Sequence, residues 1–370
     1  MYAMKNEEIR EVAGGEEEEE EEEEEGLLEH EKEVFLSEVH ITEIPQPTAG
    51  VGEDRFITRL NIVLPLASSQ PRPDEENKAA SNREGGFAVD EEGDLIVVRR
   101  KVGTGEETQQ QPVITLVHSM ASPLCSVGLQ LWRGALLLSD YLLYEGHRLF
   151  QGCSAMDLGC GVGLTSIVMA MFASTLWATD YEEEILKNCE RNIQLNSYLF
   201  NSGRACSSNP VHVKKLDWSK GIQTAEENGG CKDERFCWSC EEMKAVARVS
   251  VFLAADVIYE DSITDSFFHT LRQLMQLTES EEGGRQPATA YIAIEKRINF
   301  TLEDLAPTAK AYSHFRTYFV ASDDEQGVEE QAKTEGRPHF KGTLIPTDCI
   351  PQYFEYDRVG ELELWNLTLL

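Results

Sequence analysis

The amino-acid sequence predicts an α/β fold built on a doubly wound, mostly parallel sheet. Three observations support this prediction. From residue 154 onward, short apolar segments alternate with amphipathic segments of helical period, which is the pattern of consecutive strand–helix units. A glycine-rich turn joins the first of these strands to its helix. The last two predicted strands have no helix between them, which indicates an antiparallel hairpin at the C-terminal edge.

The elements of this sheet follow from the spacing of apolar residues. A helix is predicted first, over 131–144. Strands are then predicted at 154–158, 175–179, 211–216, 249–255, 288–294, 315–321 and 361–369. Helices are predicted between them at 164–172, 182–195, 262–277 and 301–314. Pro307 is expected to delay or kink the last helix. An insertion at 219–247 and a long irregular loop at 322–359 complete the region.

This sheet belongs to a predicted domain over 111–370, which begins with a strand at 113–117. Residues 1–26 are predicted to be a disordered acidic tail, because an unbroken run of glutamates repels itself and buries no apolar surface. Residues 27–110 are predicted to be an N-terminal extension. It contains strand candidates at 35–41, 56–64 and 95–98, and a linker at 66–86.

The composition restricts the function classes. The 370-residue chain has a formal net charge of −33, which disfavours a direct nucleic-acid partner and favours a basic protein as partner. No apolar run approaches the ~20 residues of a membrane span. The charged N-terminal residues lack the apolar core of a signal peptide. We therefore expect no membrane association and a soluble intracellular protein of the nucleus or cytoplasm.

The nine cysteines follow no regular spacing, so we expect reduced thiols. Cys237 and Cys240 form the one close pair, with Cys231 nearby. A structural zinc site needs a further ligand at matching spacing. We therefore predict ordinary thiols in a loop and no metal.

The glycine-rich turn carries the main chemical signal. Gly159, Gly161 and Gly163 follow Asp157 at the end of a predicted strand. Glycines allow a sharp turn and a close approach of the backbone to a ligand. A dinucleotide fingerprint would place its third glycine at position 164, which is Leu164. We expect the Asp157 carboxylate to lie at the mouth of the loop, where it suits the sulfonium and ammonium charges of S-adenosylmethionine and would repel a pyrophosphate.

Acidic and aromatic residues at the ends of the next two strands are further candidates for this cofactor. Asp180 can accept hydrogen bonds from both ribose hydroxyls, although it can equally cap the following helix. Asp217 can accept from the adenine amino group and Trp218 can cover the ring; a turn residue and a core tryptophan are the competing interpretations. Trp132 can form a wall of the pocket or belong to the core.

The fourth strand ends in Asp256-Val-Ile-Tyr259, which is the candidate catalytic segment. A strand-end carboxylate can position a substrate amine there, with Tyr259 shaping the channel. The competing interpretation is that Asp256 caps the following helix and Tyr259 packs in the core. Residues 295–297, which are Glu-Lys-Arg, border the substrate or form a solvated charged turn.

Several of these segments together resemble the seven-strand, Rossmann-like protein-lysine methyltransferases of methyltransferase family 16. The segments are Trp132–Tyr141, Asp157–Gly163, Leu216–Trp218, Asp256–Tyr259 and Ile294–Arg297. The resemblance covers residues 112–370 and is faint over 27–102. Asp157 stands where family members often have glutamate, which keeps the charge.

The resemblance implies transfer of a methyl group from S-adenosylmethionine to a lysine of a protein substrate. It implies catalytic roles for Asp256 and Tyr259, in an acid-x-x-Tyr motif, and it implies association with a chaperone. It also implies that the cofactor is bordered by Trp132, Asp180, Asp217 and Trp218.

Four other function classes compete with this one. A nucleic-acid methyltransferase acting on exocyclic amines often carries two prolines where this chain has Val257 and Ile258. A nicotinamide oxidoreductase is disfavoured by Leu164. A small-molecule methyltransferase and a non-enzymatic acidic scaffold that keeps the fold are both compatible with the sequence.

Overall fold

A computed structural model describes residues 34–36, 39, 46–47, 55–63, 112–201, 210–222, 233–279, 287–301, 306–322 and 339–370. The predicted acidic tail, the linker at 66–86 and the strand at 95–98 lie outside these residues. Of the helices that the structure describes, none has the length and apolar character needed to cross a membrane.

Five short strands precede the main sheet, and they form two small sheets. In chain order they are β1 Val34–Leu36, β2 Gln46–Pro47, β3 Phe56–Asn61, β4 Val113–His118 and β5 Ala121–Pro123. The predicted strands at 56–64 and 113–117 are thus present, and they pair antiparallel with each other. β2 extends that pair and β1 pairs with β5.

The remaining strands that the structure describes are β6 Ser154–Leu158, β7 Thr175–Asp180, β8 Val211–Lys215, β9 Val251–Ala255, β10 Thr289–Glu295, the separate hairpin β11 Asn299–Thr301 with β12 Ala306–Thr308, β13 Phe319–Ala321, β14 Phe340–Ile345 and β15 Leu362–Leu369. Within the described residues, the central sheet has eight strands in the order β13-β14-β15-β10-β9-β6-β7-β8. β15 runs antiparallel to both of its neighbours, and the other neighbouring strands run parallel.

Helices cover both faces of this sheet. They are α1 Arg133–Glu145, α2 Leu164–Met169, α3 Glu183–Leu195, α4 Tyr198–Asn201, α5 Cys240–Val246, α6 Asp261–Glu279 and α7 Lys310–Arg316. Successive residues of a strand enter different cores: Leu253 packs with α1 to α3, and Phe252 and Ala254 pack with α5 to α7. The doubly wound α/β fold predicted from the sequence is confirmed.

The predicted C-terminal hairpin is present, but its first strand differs from the predicted one. β14, which pairs with β15, lies within the predicted irregular loop. The segment 315–321, predicted as a strand, instead contains the last two residues of helix α7. The short edge strand β13 begins only at Phe319. Gly342 interrupts the apolar alternation of β14, and a side chain there would overlap the ring of Phe319. The strand was not predicted because Gly342, which this packing requires, takes the place of an apolar residue in the alternating pattern.

The predicted helix over 301–314 is wrong in its first half. Thr301 and Pro307 lie in the hairpin β11–β12, and α7 begins at Lys310. Proline has no backbone N–H to donate inside a helix, whereas a two-stranded edge tolerates it. The proline thus displaces the helix start by nine residues, from the predicted Thr301 to the observed Lys310.

The described part of the predicted insertion covers the edge strand β8. Trp238 donates from Nε1 to the carbonyl oxygen of Lys215 at 2.7 Å. Lys214 donates from Nζ to the carbonyl oxygen of Cys237 at 2.8 Å and pairs with Glu242 at 2.8 Å. Covering an edge in this way removes a template for unwanted strand pairing. Among the described residues, no group of three His, Cys, Asp or Glu side chains could hold a metal ion, and Cys231 lies outside them.

Candidate active site

A cavity of about 540 Å³ lies beyond the carboxyl ends of β6 to β9, where open α/β sheets bind their ligands. Eight of the ten predicted site residues line it: Trp132, Gly159, Gly161, Asp180, Asp217, Trp218, Asp256 and Tyr259. Asp157 and Gly163 do not line it. The volume falls within the ~300–1,000 Å³ of small-ligand pockets.

The glycine loop runs tightly against its surroundings. Gly159 and Gly161 have φ values of 76° and 53°, in the left-handed region that other residues rarely adopt. A Cβ atom at Gly159 would lie 2.7 Å from Val257 Cγ1, and one at Gly161 would lie 3.0 Å from the carbonyl oxygen of Gly128. Gly163 instead keeps α2 close to α3, since a Cβ there would lie 2.8 Å from Cys189 Sγ.

Asp157 lies beneath this loop, not at its mouth as the sequence suggested. Its Oδ2 accepts hydrogen bonds from Thr165 Oγ1 at 2.5 Å and Ser166 Oγ at 2.6 Å, and its Oδ1 has no hydrogen-bond partner among the residues that the structure describes. Burial raises the pKa of this carboxyl to about 6, against the lowering effect of the two hydroxyls. The carboxylate therefore contributes negative potential from below the loop.

Asp180 joins the loop to the end of β7. Its Oδ2 accepts from the Gly161 N–H at 3.1 Å and its Oδ1 from the Tyr181 N–H at 2.8 Å. Burial raises its pKa to about 6, the backbone N–H groups oppose this shift, and the charge of Asp157 adds to it. Glu182, not Asp180, occupies the N-cap position of α3. Asp180 therefore does not cap the helix that follows it.

Asp217 and Trp218 have both a structural and a cavity-lining position. Asp217 Oδ1 accepts from the N–H and the hydroxyl of Ser219, and Oδ2 pairs with Lys220 at 2.9 Å, so the residue does form a turn. Burial alone would raise its pKa, but the hydrogen bonds from Ser219 and Lys220 outweigh burial and lower it. The Trp218 ring packs edge-on against Phe267, with ring centroids 5.1 Å apart, and faces Gly159.

Asp256 is the one described residue other than glycine with a positive φ, at 54°. Its Oδ2 accepts from the Gly134 N–H at 2.6 Å, and its Oδ1 accepts from the Glu295 N–H at 3.0 Å. Burial raises its pKa to about 6, while the charge of Arg297 and the two N–H groups lower it. Backbone strain of this kind concentrates at functional sites. Asp256 makes these contacts instead of capping the following helix.

Aromatic and cationic side chains complete the wall beside Asp256. Trp132 occupies the N-cap position of α1 and donates from Nε1 to the Val127 carbonyl oxygen at 3.0 Å. The guanidinium carbon of Arg297 lies 4.9 Å from the centre of the Trp132 ring, a cation–π contact. Burial, with the charges of Asp180 and Glu260, raises the pKa of Tyr259 to about 12, so the phenol stays protonated.

Some site residues were not predicted from the sequence. Tyr181 and Ile185 line the cavity. Tyr181 directly follows Asp180, and Ile185 lies about one helical turn further on, so their spacing from Asp180 could have indicated both. Gly128 and Gly134 reach the site from outside the strand–helix repeat, and no local signal indicates them.

The chain is similar in sequence to known proteins. Residues 109–233 match the family model described as lysine methyltransferase. The chain is 37% identical over 311 residues to human methyltransferase-like protein 22, covering 75% of this chain and 70% of that protein. It is 38% identical over 309 residues to the mouse protein of the same name, covering 82% and 70%. A protein-lysine N-methyltransferase of Chaetomium thermophilum is 26% identical over 175 residues, covering 45% of each chain.

Proposed function

This chain belongs to the lysine methyltransferase family, and we propose that the cavity beside its glycine loop is where S-adenosylmethionine meets a lysine of a protein substrate. The chain is an S-adenosylmethionine-dependent protein-lysine N-methyltransferase. One observation supports the proposed location: strand-end residues from four neighbouring strands, Asp180 and Asp256 among them, line a single cavity.

The residues of one side of the cavity suit the cofactor. Asp180 would accept the ribose hydroxyls, and Asp217 with Trp218 would hold the adenine ring. Asp157 and Asp180 form no salt bridge with a lysine or arginine among the described residues, so their charges are available to a cationic ligand. When bound, S-adenosylmethionine supplies a methyl group made electrophilic by the positive charge on its sulfur. Gly159 and Gly161 carry no side chain, so the backbone of the glycine loop would approach the cofactor closely.

The other side of the cavity suits the amine. A free lysine ammonium has a pKa of ~10.4 and has no lone pair to react with until it loses its proton. The chain's part is to bring the amine in, to exclude water and to orient it. Asp256, fixed by two N–H donors, would aim the amine, and Tyr259 would line its channel. The permanent charge of Arg297 beside Asp256 disfavours a second cation and so favours the neutral amine.

The charge of the chain supports a basic protein as substrate. With a net charge of −33, the enzyme would attract such a partner over distances set by the ~8 Å Debye length of physiological salt. Methylation should then slow as salt is raised through that range. Association with a chaperone, and residence in the nucleus or cytoplasm, stay predictions.

The test is transfer of tritium from labelled S-adenosylmethionine to proteins of a cell extract, for the native chain and for Asp256→Ala. We expect a discrete protein band that protease removes and nuclease does not. The variant should transfer at least about 100-fold more slowly, because the amine loses its orienting group, while calorimetry shows cofactor affinity within a few-fold. Asp357→Ala, which removes an exposed acid outside the cavity, is the matched control.

Near-normal turnover of Asp256→Ala would disprove the role given to Asp256. Label that is removed by nuclease would point to a nucleic-acid substrate instead.

A further inference from the structure

The two segments that provide the N–H donors to Asp256 are joined by a partly buried ion pair between side chains. Arg133 Nη1 lies 2.6 Å from Glu295 Oε1, and the two side chains are 14% and 11% exposed. Arg133 directly precedes Gly134, whose N–H is one donor to Asp256, and Glu295 provides the other N–H. The contacts form a closed ring through Asp256, Gly134, Arg133 and Glu295.

The four residues of this ring come from three separate elements. Arg133 and Gly134 open helix α1, Asp256 follows β9, and Glu295 ends β10. The N–H groups of the first turn of a helix have no partner within that helix, so a carboxylate there satisfies one of them. A Cβ atom at residue 134 would lie 2.6 Å from Asp256 Oδ2, so it would displace the carboxylate. The Gly134 N–H and the Glu295 N–H can therefore both bond to Asp256 only if the start of α1 stays at its present distance from the end of β10.

We propose that Arg133 and Glu295 are positioning residues that fix the carboxylate of Asp256 for the substrate amine. This inference rests on the proposed function of the cavity. The attraction within a partly buried ion pair is offset by the cost of removing its charges from water, so the pair adds little net stability. Here it fixes the spacing of the two N–H donors, and through them the left-handed backbone and the side-chain direction of Asp256. Neither residue touches the cofactor side of the cavity.

The main experiment replaces both charges with apolar side chains of similar length, in the double variant Arg133→Met/Glu295→Met. Replacing both partners avoids leaving one buried charge alone. The probe is heat-treated cell extract with tritiated S-adenosylmethionine. We expect the maximal transfer rate to fall ten- to a hundredfold, while the half-saturating extract concentration and the cofactor dissociation constant change less than threefold. In an Asp256→Asn background, the same double change should lower the rate less than twofold further, because the ring already lacks its carboxylate.

The matched control is the ion pair of Lys214 and Glu242, which is 2.8 Å long and similarly buried, at 10% and 23% exposure, but lies at the far edge of the sheet. Lys214→Met/Glu242→Gln should leave the transfer rate within threefold. Arg133→Lys keeps a donor for Glu295 and should retain most of the rate that the double variant loses. If the double variant does not fold, Glu295→Gln is judged by the same criteria.

An unchanged rate in the double variant would overturn the proposal. So would a loss of rate, cofactor affinity and melting temperature together, or an equal loss in the Asp256→Asn background, since each indicates a general structural role. Absence of transfer by the native chain would instead count against the proposed function itself.

Discussion

The two sides of the cavity hold their carboxylates in different ways. On the side of the glycine loop, Asp157 and Asp180 accept hydrogen bonds from hydroxyl and backbone donors that lie close by in the chain, between residues 161 and 182. On the other side, Asp256 is held by Gly134 and Glu295, which are 122 and 39 residues away along the chain. Arg297 adds a positive charge near Asp256.

This difference indicates different tasks. Asp157 and Asp180 are buried acids that repel each other, and no described lysine or arginine forms a salt bridge with them, so a cationic ligand would lower their raised pKa values. Asp256 has its charge partly balanced by Arg297 and its direction fixed, so it can orient a group that arrives later. Changes on the first side should therefore alter cofactor affinity, and changes on the second side should alter the transfer rate.

The largest effect on cofactor affinity is expected for Asp180→Ala. The variant removes charged hydrogen bonds and leaves the N–H groups of Gly161 and Tyr181 without their acceptor. A hydrogen bond to a charged group contributes about 1.5–3 kcal/mol, so loss of one such bond should raise the cofactor dissociation constant about 10–100-fold by calorimetry, and loss of two should raise it further. Transfer at saturating cofactor should change much less. A variant that binds normally but transfers poorly would reverse the assignment of the two sides.

Gly134→Ala tests the second side with a single methyl group. The added Cβ would press on the Asp256 carboxylate, 2.6 Å from Oδ2, so we expect a transfer rate reduced by about 10–100-fold. Cofactor affinity should stay within threefold, and helix propensity does not oppose the change, since alanine favours helices over glycine.

Gly360→Ala is the control for this substitution, because a Cβ there meets no atom within 4 Å. Equal losses in both variants would remove the support for a specific contact with Asp256.

The same contrast explains what could be predicted from the sequence. The loop side was predictable because its signals are local: a strand, glycines at fixed spacing, a helix, and an acid after the next strand. The ring around Asp256 was not, since Arg133 meets Glu295 and Gly134 meets Asp256 only when α1 packs across β9 and β10. β14 was missed for a related reason, because Gly342 is required by the ring of Phe319 and not by the strand itself.

Cofactor binding should weaken as the pH falls through 6. The pKa values of Asp157 and Asp180 are raised to about 6, so both acids are largely charged at pH 7.5 and largely protonated at pH 5.5. A cationic ligand binds the charged forms, and its affinity is lost as they take up protons. Proton linkage gives about a fourfold weaker affinity per acid between these pH values, and about 15-fold for both.

S-adenosylhomocysteine is the matched ligand for this measurement, because it lacks the sulfonium charge. Its affinity should change less over the same pH interval. Identical pH dependence for the two ligands would mean that the acids do not sense that charge.

The smallest effect is expected for Asp217→Asn, because Asp217 both stabilises a turn and lines the cavity. Asparagine keeps an acceptor for Ser219 and for an adenine amino group but loses the ion pair with Lys220, which is exposed and contributes about 0–1 kcal/mol. The cofactor dissociation constant should rise about two- to fivefold, because one acceptor is now uncharged. Lys220→Ala separates the two roles, since it removes the ion pair and leaves the carboxylate. If Lys220→Ala weakens binding as much as Asp217→Asn does, the turn matters and the acceptor does not; if only Asp217→Asn weakens binding, Asp217 belongs with Asp180 on the cofactor side.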